Sequence, residues 1–517
     1  MSPLIKTPPL KTPPVKTPPL ETITLSALFL LVFALAVAMR LPSCFESFWL
    51  DELHSAWCVW GSFDDVAGRA TAGNQTPFYF WGLWFWRQVA GDGEVMLRLP
   101  SVIASSLAAS IVSLGINRSS GSAIAAGIGG LWMAIDKNAI FFGTELRPFA
   151  FVVLLCSVAI YQLLSPKKNY WSSALFWFCV AASVGLQPTS LGVVIWLMVA
   201  KCWRDRTSKP NSSVQRLVIF GSLAVISSLA AWFVIDVLAT AWTHRSQWDA
   251  FASAGTASDL ANAWPWGGIF GPLLLGIVIV ALISRSRATG GSDDRSGEGN
   301  PAHRQFRDAI LLALLSVLSV ATFWAISATS IAPVFHRRYF IASLPLIAWG
   351  GGEAVAFAIV AASNLKLRKR IAFLALAISP AVWILGSQGT VAKFMSDGVV
   401  VSRGEGWREA MHYISSNNDP SDTVLLTPGL IETKRLLLES PETSQQYLSF
   451  PLKGPYQWQT VLVTTSTPTR LDSGQAWLIR GSRVGAEQVA KQLGRAGDAL
   501  IVSSFGNVQV LAVIPRN

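Results

Sequence analysis

The chain has 517 residues, of which 51% are apolar and only 14% are charged, and it carries a formal net charge of +11. Soluble proteins average about 25% charged residues, and several apolar runs here exceed the roughly 18 residues that can cross a bilayer. The composition therefore excludes an ordinary soluble protein and predicts a multi-pass membrane protein. Nucleic acid is not an expected partner, because the basic residues lie in short clusters between apolar runs.

Residues 1–21 precede the first apolar run and contain the motif KTPP at 6–9, 11–14 and 16–19. Paired prolines exclude helix and favour an extended polyproline-type chain. We therefore expect a disordered tail on the cytoplasmic side of the membrane, followed by a transmembrane domain over residues 22–390.

Eleven apolar runs predict about eleven membrane-spanning helices. The runs lie near residues 22–41, 99–117, 121–142, 148–164, 171–187, 189–202, 217–241, 267–284, 309–329, 340–361 and 371–390. Lysine and arginine accumulate in the connections after the fourth, sixth, eighth and tenth runs. Because positively charged loops stay in the cytoplasm, this pattern predicts a plasma-membrane protein with a cytoplasmic N-terminus and an extracytoplasmic chain after about residue 391.

The aromatic segment PFYFWGLWFWRQVAG, residues 77–91, is not counted as a span. It is too short to cross about 30 Å of hydrocarbon comfortably, and Asp92, Glu94 and Arg98 follow it. A span here would also invert every later connection. We therefore interpret residues 42–98 as one long extracytoplasmic loop with two helices that lie on the membrane surface.

The C-terminal residues 391–517 differ in kind from the rest of the chain. Their apolar runs have the length of strands: TVLLTP, TVLVTT, AWLIRG, DALIVSS and NVQVLAVIP. Helix-like runs, GWREAMHYISS and GAEQVAKQLGRAG, lie between them. This alternation predicts a small α/β domain, so the expected fold is an all-α polytopic membrane protein with an extracytoplasmic α/β domain.

The motif FWLDELH places two carboxylates, Asp51 and Glu52, beside Phe48, Trp49 and Leu50 at the start of the long loop. Ionisable groups at an apolar boundary cost free energy. A partly desolvated carboxylate can act as a general base towards a hydroxyl group. An acidic pair can equally stabilise the N-terminus of a helix, and the sequence leaves both interpretations open.

Two other motifs place cations on the predicted outer side. GTELRPF contains Glu145 and Arg147, and FHRRYF contains His336, Arg337 and Arg338. The planar guanidinium group donates two parallel hydrogen bonds and suits phosphate. Contact with lipid headgroups is the alternative for these residues.

The sequence contains no P-loop, no GxGxxG fingerprint, no HExxH motif and no Cys/His metal cluster. A nucleotide-driven pump and a soluble-type nucleotide-sugar enzyme are therefore disfavoured. The sequence indicates no certain cofactor and leaves the requirement for a divalent metal open.

Five motifs occur in order: FWLDELHSAW, NQTPFYFWGLWFWRQVAGDGEVMLRLPSVIASSLA, FFGTELRPFAF, FHRRYFIASLPLIAWGG and EGWREAMHYISSNNDPSDTVLL. The series resembles the membrane glycosyltransferases of the C superfamily, specifically the bacterial branch of protein-mannosyltransferases and aminoarabinose-transferase-like enzymes. The resemblance covers nearly all of the chain except the KTPP tail, and it weakens across 190–330 and after residue 430.

The resemblance implies an inverting transfer of a sugar from a polyprenyl-phosphate donor to an acceptor on the outer side. It makes Asp51 the general base, with Glu52 beside it, and makes the outer cations ligands of the donor phosphate. Candidates for binding the phosphate are Arg147, His336, Arg337 and Arg338, and candidates for contacting donor or acceptor are Gln75, Tyr79, Glu145 and Tyr339.

The chain departs from the branch at three points. Gln75-Thr76-Pro77 stands where relatives commonly have His-Pro-Pro or Lys-Pro-Pro, Phe149 where many have tyrosine, and Gln187-Pro188-Thr189 where a histidine is usual. A neutral Gln75 cannot supply a charge, so the donor contact at that position is in doubt, and altered specificity or an inactive member stays open.

The expected partners are a membrane lipid carrier and an acceptor that is a glycan, a lipid or a protein. Two other functions stay open. A transporter or flippase of lipid-linked sugars would need the same cations and acids, although no internal symmetry is evident, and a non-catalytic scaffold would use the C-terminal domain to recruit partners.

Overall fold

The computed structural model describes residues 20–165, 170–206, 256–288, 301–363, 388–430, 441–465, 475–493 and 499–514, with scattered positions in the gaps between them. The KTPP tail and the predicted span 217–241 lie outside the described residues, apart from isolated positions. The predicted span 371–390 is described only in part.

The described chain is mostly helical. Its first part contains α1 (Leu20–Arg40), α2 (Leu50–Trp60), α3 (Phe63–Ala72), α4 (Pro77–Ala90), α5 (Glu94–Ser120), α6 (Ala123–Ile135), α7 (Lys137–Gly143), α8 (Phe149–Leu164), α9 (Tyr170–Leu186) and α10 (Leu191–Arg206). Its second part contains α11 (Ala257–Ala261), α12 (Gly267–Ala288), α13 (Pro301–Ala328), α14 (Arg337–Phe340), α15 (Leu344–Ala362), α16 (Thr390–Asp397), α17 (Trp407–Asn417), α18 (Pro441–Lys453) and α19 (Arg483–Leu493).

Four stretches of the described chain are helical, long and apolar enough to cross a membrane: Ser26–Phe45, Glu94–Ser120, Ala302–Ala328 and Arg337–Ala362. Shorter apolar helices cover Ala123–Ile135, Phe149–Leu164, Tyr170–Leu186 and Gly267–Leu282. The prediction of a multi-pass membrane protein is therefore confirmed. Helices occupy nine of the eleven predicted runs, while the total of eleven spans and the orientation of the termini stay predictions.

The third predicted run, 121–142, is not one helix. The backbone of Asp136 is extended, with φ −62° and ψ 130°, and separates α6 from α7. Its Oδ1 atom accepts hydrogen bonds from the backbone N–H groups of Asn138 (2.8 Å) and Ala139 (3.0 Å). The aspartate therefore caps α7, as a short acidic side chain at a helix start commonly does.

The segment between α1 and α5 carries three α-helices rather than the predicted two. The aromatic run 77–91 forms α4, whose 14 residues span about 21 Å at 1.5 Å per residue. The helix that the sequence analysis missed is α3, although Ser62 and Asp65 form its capping box, with Asp65 accepting from the Ser62 N–H at 3.0 Å.

Close packing of small residues brings the membrane helices together. A Cβ atom on Gly115 of α5 would lie 1.9 Å from the ring of Trp349, and one on Gly351 of α15 would lie 2.8 Å from the ring of Trp132. Membrane helices associate through such contacts because lipid provides little hydrophobic drive between them. Both tryptophans are fully buried in the main apolar core.

All five predicted strands of the C-terminal region are present. They are β1 (Val424–Thr427), β2 (Val461–Val463), β3 (Ala476–Arg480), β4 (Ala499–Phe505) and β5 (Val508–Ile514). The sheet order is β2-β1-β3-β5-β4, in which β1 runs parallel to β2 and β3, and β5 runs antiparallel to β3 and β4. The prediction of a small C-terminal sheet is therefore confirmed.

The C-terminal sheet does not have a core of its own on its inner side. One buried cluster combines Phe48, Leu53 and Trp57 from the segment between α1 and α5 with Trp407 and Val510 from the C-terminal region. The sheet is thereby packed against the same segment that carries the two predicted acids.

Candidate active site

Asp51 lies in the first turn of α2 at a meeting point of three chain segments. Its Oδ2 atom is 3.2 Å from Nη1 of Arg338, and its Oδ1 atom is 3.6 Å from Nη2 of Arg147. The Asp51 side chain is 24% exposed, so it stays accessible to a ligand. Charge-assisted hydrogen bonds between nitrogen and oxygen are usually about 2.7–2.9 Å long, so both pairs are loose.

The charge of Asp51 is set by opposing effects. Burial raises the pKa of the Asp51 carboxyl. The charges of the Arg338 and Arg147 guanidinium groups lower this pKa by more than burial raises it, so it lies below its ordinary value. Arg480 at the end of β3 contributes in the same direction. Asp51 is therefore a carboxylate at neutral pH.

Glu145 lies in the tight turn between α7 and α8 and is 1% exposed. Its Oε2 atom is buried and receives no hydrogen bond from the described residues. Burial, followed by the charge of Asp51, raises the pKa of Glu145 to about 8. The site thus contains one ionised and one protonated carboxyl group at neutral pH, a separation typical of acid–base sites.

Arg147 links the same turn to a histidine that the sequence analysis did not select. Its Nη1 atom is 3.5 Å from Nδ1 of His54, and the histidine is 2% exposed. Burial and the charge of Arg147 lower the pKa of His54 to about 3, so the ring is neutral. The spacing of Asp51 and His54, three residues apart on one helix, is the signal that could have indicated this neighbour.

The three predicted basic residues of the FHRRYF motif separate in the structure. Nη1 of Arg338 donates to Oδ2 of Asp51 at 3.2 Å, whereas Nη1 of Arg337 donates to Oδ1 of Asn138 at 3.3 Å. Nδ1 of His336 accepts the backbone N–H of Arg338 at 3.3 Å and caps α14. Burial and the charge of Arg338 lower the pKa of His336 to about 4, so its ring is neutral at pH 7.

Glu52 has surroundings unlike those of its neighbour Asp51. It is fully buried, its Oε1 atom accepts from Nε of Arg98 and from the N–H of Leu146, both at 2.9 Å, and its Oε2 atom binds Nη2 of Arg98 and lies 3.6 Å from Nε of Arg403. Burial raises the pKa of the Glu52 carboxyl. Arg403 and Arg98 together lower this pKa by more, so it lies below its ordinary value.

These contacts leave Glu52 without an accessible atom for a substrate. Leu146 stands between Glu145 and Arg147, so the bond to its N–H fixes the turn that carries both residues. The full burial of Glu52 favours a role in supporting the site, and the catalytic role expected from sequence stays a prediction. Its partners Arg98 and Arg403 carried no local signal in the sequence.

Three other predicted residues, Gln75, Tyr79 and Tyr339, have contacts of other kinds. Gln75 is half-buried, and its backbone N–H donates to the carbonyl of Ala70 at 3.0 Å. Tyr79 is 6% exposed and forms ring contacts with its neighbours, and Tyr339 is half-buried against the main core. Within the described ranges, no hydrogen bond or ion pair is recorded between Asp51 and either Gln75 or Tyr79.

The described residues contain no group of three or more histidine, cysteine, aspartate or glutamate side chains that could hold a metal ion. The site is instead built from carboxyl and guanidinium groups. The metal requirement therefore stays an open prediction.

A scan against protein-family models and a search of curated proteins found no match. The solved structures that are similar to the chain include two of one protein. One is ArnT from Cupriavidus metallidurans bound to undecaprenyl phosphate, at 13% identity and a TM-score of 0.46, covering 95% of this chain and 98% of that chain. The other is ArnT from Cupriavidus metallidurans in the apo state, at 13% identity and a TM-score of 0.49, covering 95% and 97%.

Both TM-scores lie below 0.5. The function proposed below therefore rests on the residues of the site and not on this similarity.

Proposed function

We propose that the protein is a membrane glycosyltransferase that moves a sugar from a polyprenyl-phosphate donor to a hydroxyl acceptor on the outer face of the membrane. The observation that supports this most is the pairing of Arg147 and Arg338 with one partly exposed carboxylate, Asp51. The resemblance of the five motifs supplies the donor class, and the basic connections between the apolar runs supply the orientation.

The arginines have two possible anionic partners. In the structure both hold Asp51 at long distances, with the Asp51 side chain 24% exposed. A phosphate group offers shorter and bidentate hydrogen bonds to a guanidinium. A bound donor phosphate therefore competes for Arg147 and Arg338 and leaves Asp51 with fewer cationic contacts, which raises its affinity for a proton.

The reaction then needs one base and one site of charge stabilisation. Asp51 accepts the proton of the acceptor hydroxyl group as the oxygen of that hydroxyl bonds to the anomeric carbon of the donor sugar. The bond between that carbon and the phosphate oxygen breaks, and the electron pair leaves with the polyprenyl phosphate. Arg147 and Arg338 stabilise the negative charge that develops on the leaving phosphate.

Glu145 has a separate part in this proposal. Its protonated carboxyl is buried next to the charges of Asp51, Arg147 and Arg338. A protonated carboxyl donates a hydrogen bond, which a carboxylate cannot do. We propose that the Glu145 carboxyl donates a hydrogen bond to a hydroxyl or phosphate oxygen of the sugar donor. The acid–base pair of Asp51 and Glu145 does not include position 75, so the departure at Gln75 leaves this pair intact.

The proposal is tested with purified protein in proteoliposomes that contain radiolabelled polyprenyl-phosphate pentoses and hexoses, with membranes from a deletion strain as the acceptor source. Wild-type protein should transfer label, and Asp51→Asn should reduce the rate by about 10²- to 10⁴-fold while undecaprenyl phosphate still binds. Arg408→Gln, whose exposed ion pair to Glu94 lies away from Asp51, is the matched control.

A flippase gives a different result in the same vesicles. Labelled donor would cross the bilayer with its sugar–phosphate bond intact. Asp51→Asn would then not show the loss of sugar transfer with retained carrier binding that is expected of the enzyme. A scaffold would neither transfer nor translocate label. Transfer at the wild-type rate in Asp51→Asn would contradict the assignment of the base.

A further inference from the structure

The residue Glu405 joins the C-terminal sheet to the helix that carries Asp51. It is 6% exposed. Its Oε2 atom accepts hydrogen bonds from the backbone N–H of Leu50 and from Nε1 of Trp407, both at 2.9 Å, and its Oε1 atom accepts from Nε of Arg480 at 2.7 Å. One buried carboxylate thus has donors from three separate parts of the chain.

The bond to Leu50 fixes the first turn of α2. Backbone N–H groups at a helix start have no partner inside the helix, and the positive end of the helix dipole favours a negative charge there. Leu50 directly precedes Asp51, so the carboxylate of Glu405 sets the position of the Asp51 backbone.

The backbone of Glu405 is itself attached to the sheet. It forms an isolated antiparallel bridge with Gly506 in the turn between β4 and β5. The N–H of Gly406 donates to the carbonyl of Phe505 at 3.0 Å. A Cβ atom on Gly506 would lie 2.1 Å from the carbonyl oxygen of Gly404, and φ at Gly506 is +64°, so this close approach requires glycine.

Arg480 is the second attachment of Glu405 to the sheet. It is the last residue of β3 and is 31% exposed as a side chain. Its charge also reaches Asp51 electrostatically. The sheet therefore acts on the site through both a mechanical and an electrostatic connection.

We propose that Glu405 is a positioning residue for Asp51, so that the C-terminal sheet is part of the catalytic unit and not a separable accessory domain. The chemical role of Asp51 in this statement rests on the proposed glycosyltransferase function. The contact between Glu405 and α2 rests on the structure alone.

Arg408 provides a matched control for Glu405. It lies three residues further along and joins the C-terminal region to the carbonyl of Phe45, in the segment between α1 and α5, and to Glu94 at the start of α5. It does not contact α2 in the described structure. A general weakening of the contact between the two regions should therefore affect Arg408→Gln and Glu405→Gln alike.

The test compares full-length wild type, Glu405→Gln, Glu405→Asp and Arg408→Gln in proteoliposomes. Glu405→Gln should lower kcat about 10- to 100-fold, because a displacement of about 1 Å at a catalytic group has that effect. Its KM for the donor and its binding of undecaprenyl phosphate should stay at the wild-type values, since the side-chain hydrogen bonds of Glu405 in the described structure go to Leu50, Trp407 and Arg480. Arg408→Gln should keep the wild-type kcat.

Hydrogen–deuterium exchange supplies a readout that does not depend on activity. The peptide containing residues 48–54 should exchange faster in Glu405→Gln than in wild type or Arg408→Gln, with partial return to protection in Glu405→Asp. Unchanged exchange and kcat in Glu405→Gln would overturn the proposal, as would equal losses in Glu405→Gln and Arg408→Gln. If wild type transfers no sugar, the proposed function fails, and the exchange comparison still decides whether Glu405 positions α2.

Discussion

Asp51 and Glu52 are adjacent acids, each paired with two arginines, yet their surroundings differ. Glu52 is fully buried with short bonds to Arg98 and a backbone N–H, whereas Asp51 is 24% exposed and lies 3.2 and 3.6 Å from its arginines. A buried carboxylate whose hydrogen bonds are all satisfied fixes structure. A carboxylate with long, partly exposed pairs keeps the capacity to exchange partners, and we associate that capacity with catalysis.

The sharpest way to break this comparison is to neutralise each acid separately. Glu52→Gln leaves Arg98 and Arg403 buried without a carboxylate, and removal of one partner of a buried pair costs about 3–5 kcal/mol. We expect a strong loss of folded protein, measured as the thermal unfolding midpoint in detergent. Asp51→Asn should keep a midpoint closer to wild type, because its two ion pairs are long and partly exposed, while sugar transfer is lost.

The reverse pattern would contradict the comparison. A stable, inactive Glu52→Gln protein would return Glu52 to the catalytic role that the sequence predicted for it. An unfolded Asp51→Asn protein would show that Asp51 is a structural anchor.

A second prediction separates the two adjacent arginines of α14. Arg338→Ala should weaken binding of undecaprenyl phosphate about 10- to 100-fold, as expected from the loss of a hydrogen bond with a charged partner worth about 1.5–3 kcal/mol. Arg337→Ala should bind nearly as wild type, because Arg337 is engaged by Asn138. Isothermal titration in nanodiscs measures both, and equal losses would show that the predicted phosphate role extends to Arg337.

A third prediction concerns the proton on Glu145. Its pKa is raised to about 8, so Glu145 loses the proton of its proposed hydrogen bond as pH rises through that value. Sugar transfer by wild type should therefore fall on the alkaline side near pH 8. Glu145→Gln keeps a donor that does not titrate, and its rate should stay level across the same range. A pH–rate profile of both proteins measures this, and an identical alkaline fall in both would assign it to another group.

The raised pKa of Glu145 also makes the free energy of unfolding depend on pH. Glu145 binds a proton in the folded protein that it has already released in the unfolded chain, so its contribution is fully present below its unfolded pKa and is lost as pH rises through about 8. The unfolding midpoint of wild type relative to Glu145→Gln should therefore decrease as pH rises from about 4.5 to about 8. A constant difference would indicate that Glu145 is ionised when folded.

The smallest expected effect belongs to Gln75. Among the described residues, the hydrogen bond of Gln75 uses its backbone. Gln75→Ala should therefore change carrier binding by no more than about 0.5 kcal/mol, the usual range for substitutions outside special contacts. The binding titration described for Arg338 measures this. A loss as large as that of Arg338→Ala would place Gln75 in the donor site despite its lack of charge.

Much of the secondary structure could be predicted from sequence because it depends on local patterns. Apolar length identified the membrane helices, and short apolar runs bounded by turn residues identified all five strands. The length of the aromatic run identified α4 as a helix too short to span. The break at Asp136 and the helix α3 were missed, since a single capping residue within an apolar or polar stretch carries a weak signal.

The sequence by itself also determined which residue types meet at the site: acids in one motif, and arginines in two others. Only the tertiary structure decided which acid is accessible and which arginine reaches it. It also decided that Glu405, beside the C-terminal sheet, bonds to the start of α2, the helix that carries Asp51. Asp51 and Arg338 are 287 residues apart in the chain, and Leu50 and Glu405 are 355 apart. Contacts over such separations are set by how helices and sheet pack together, and no local spacing encodes them.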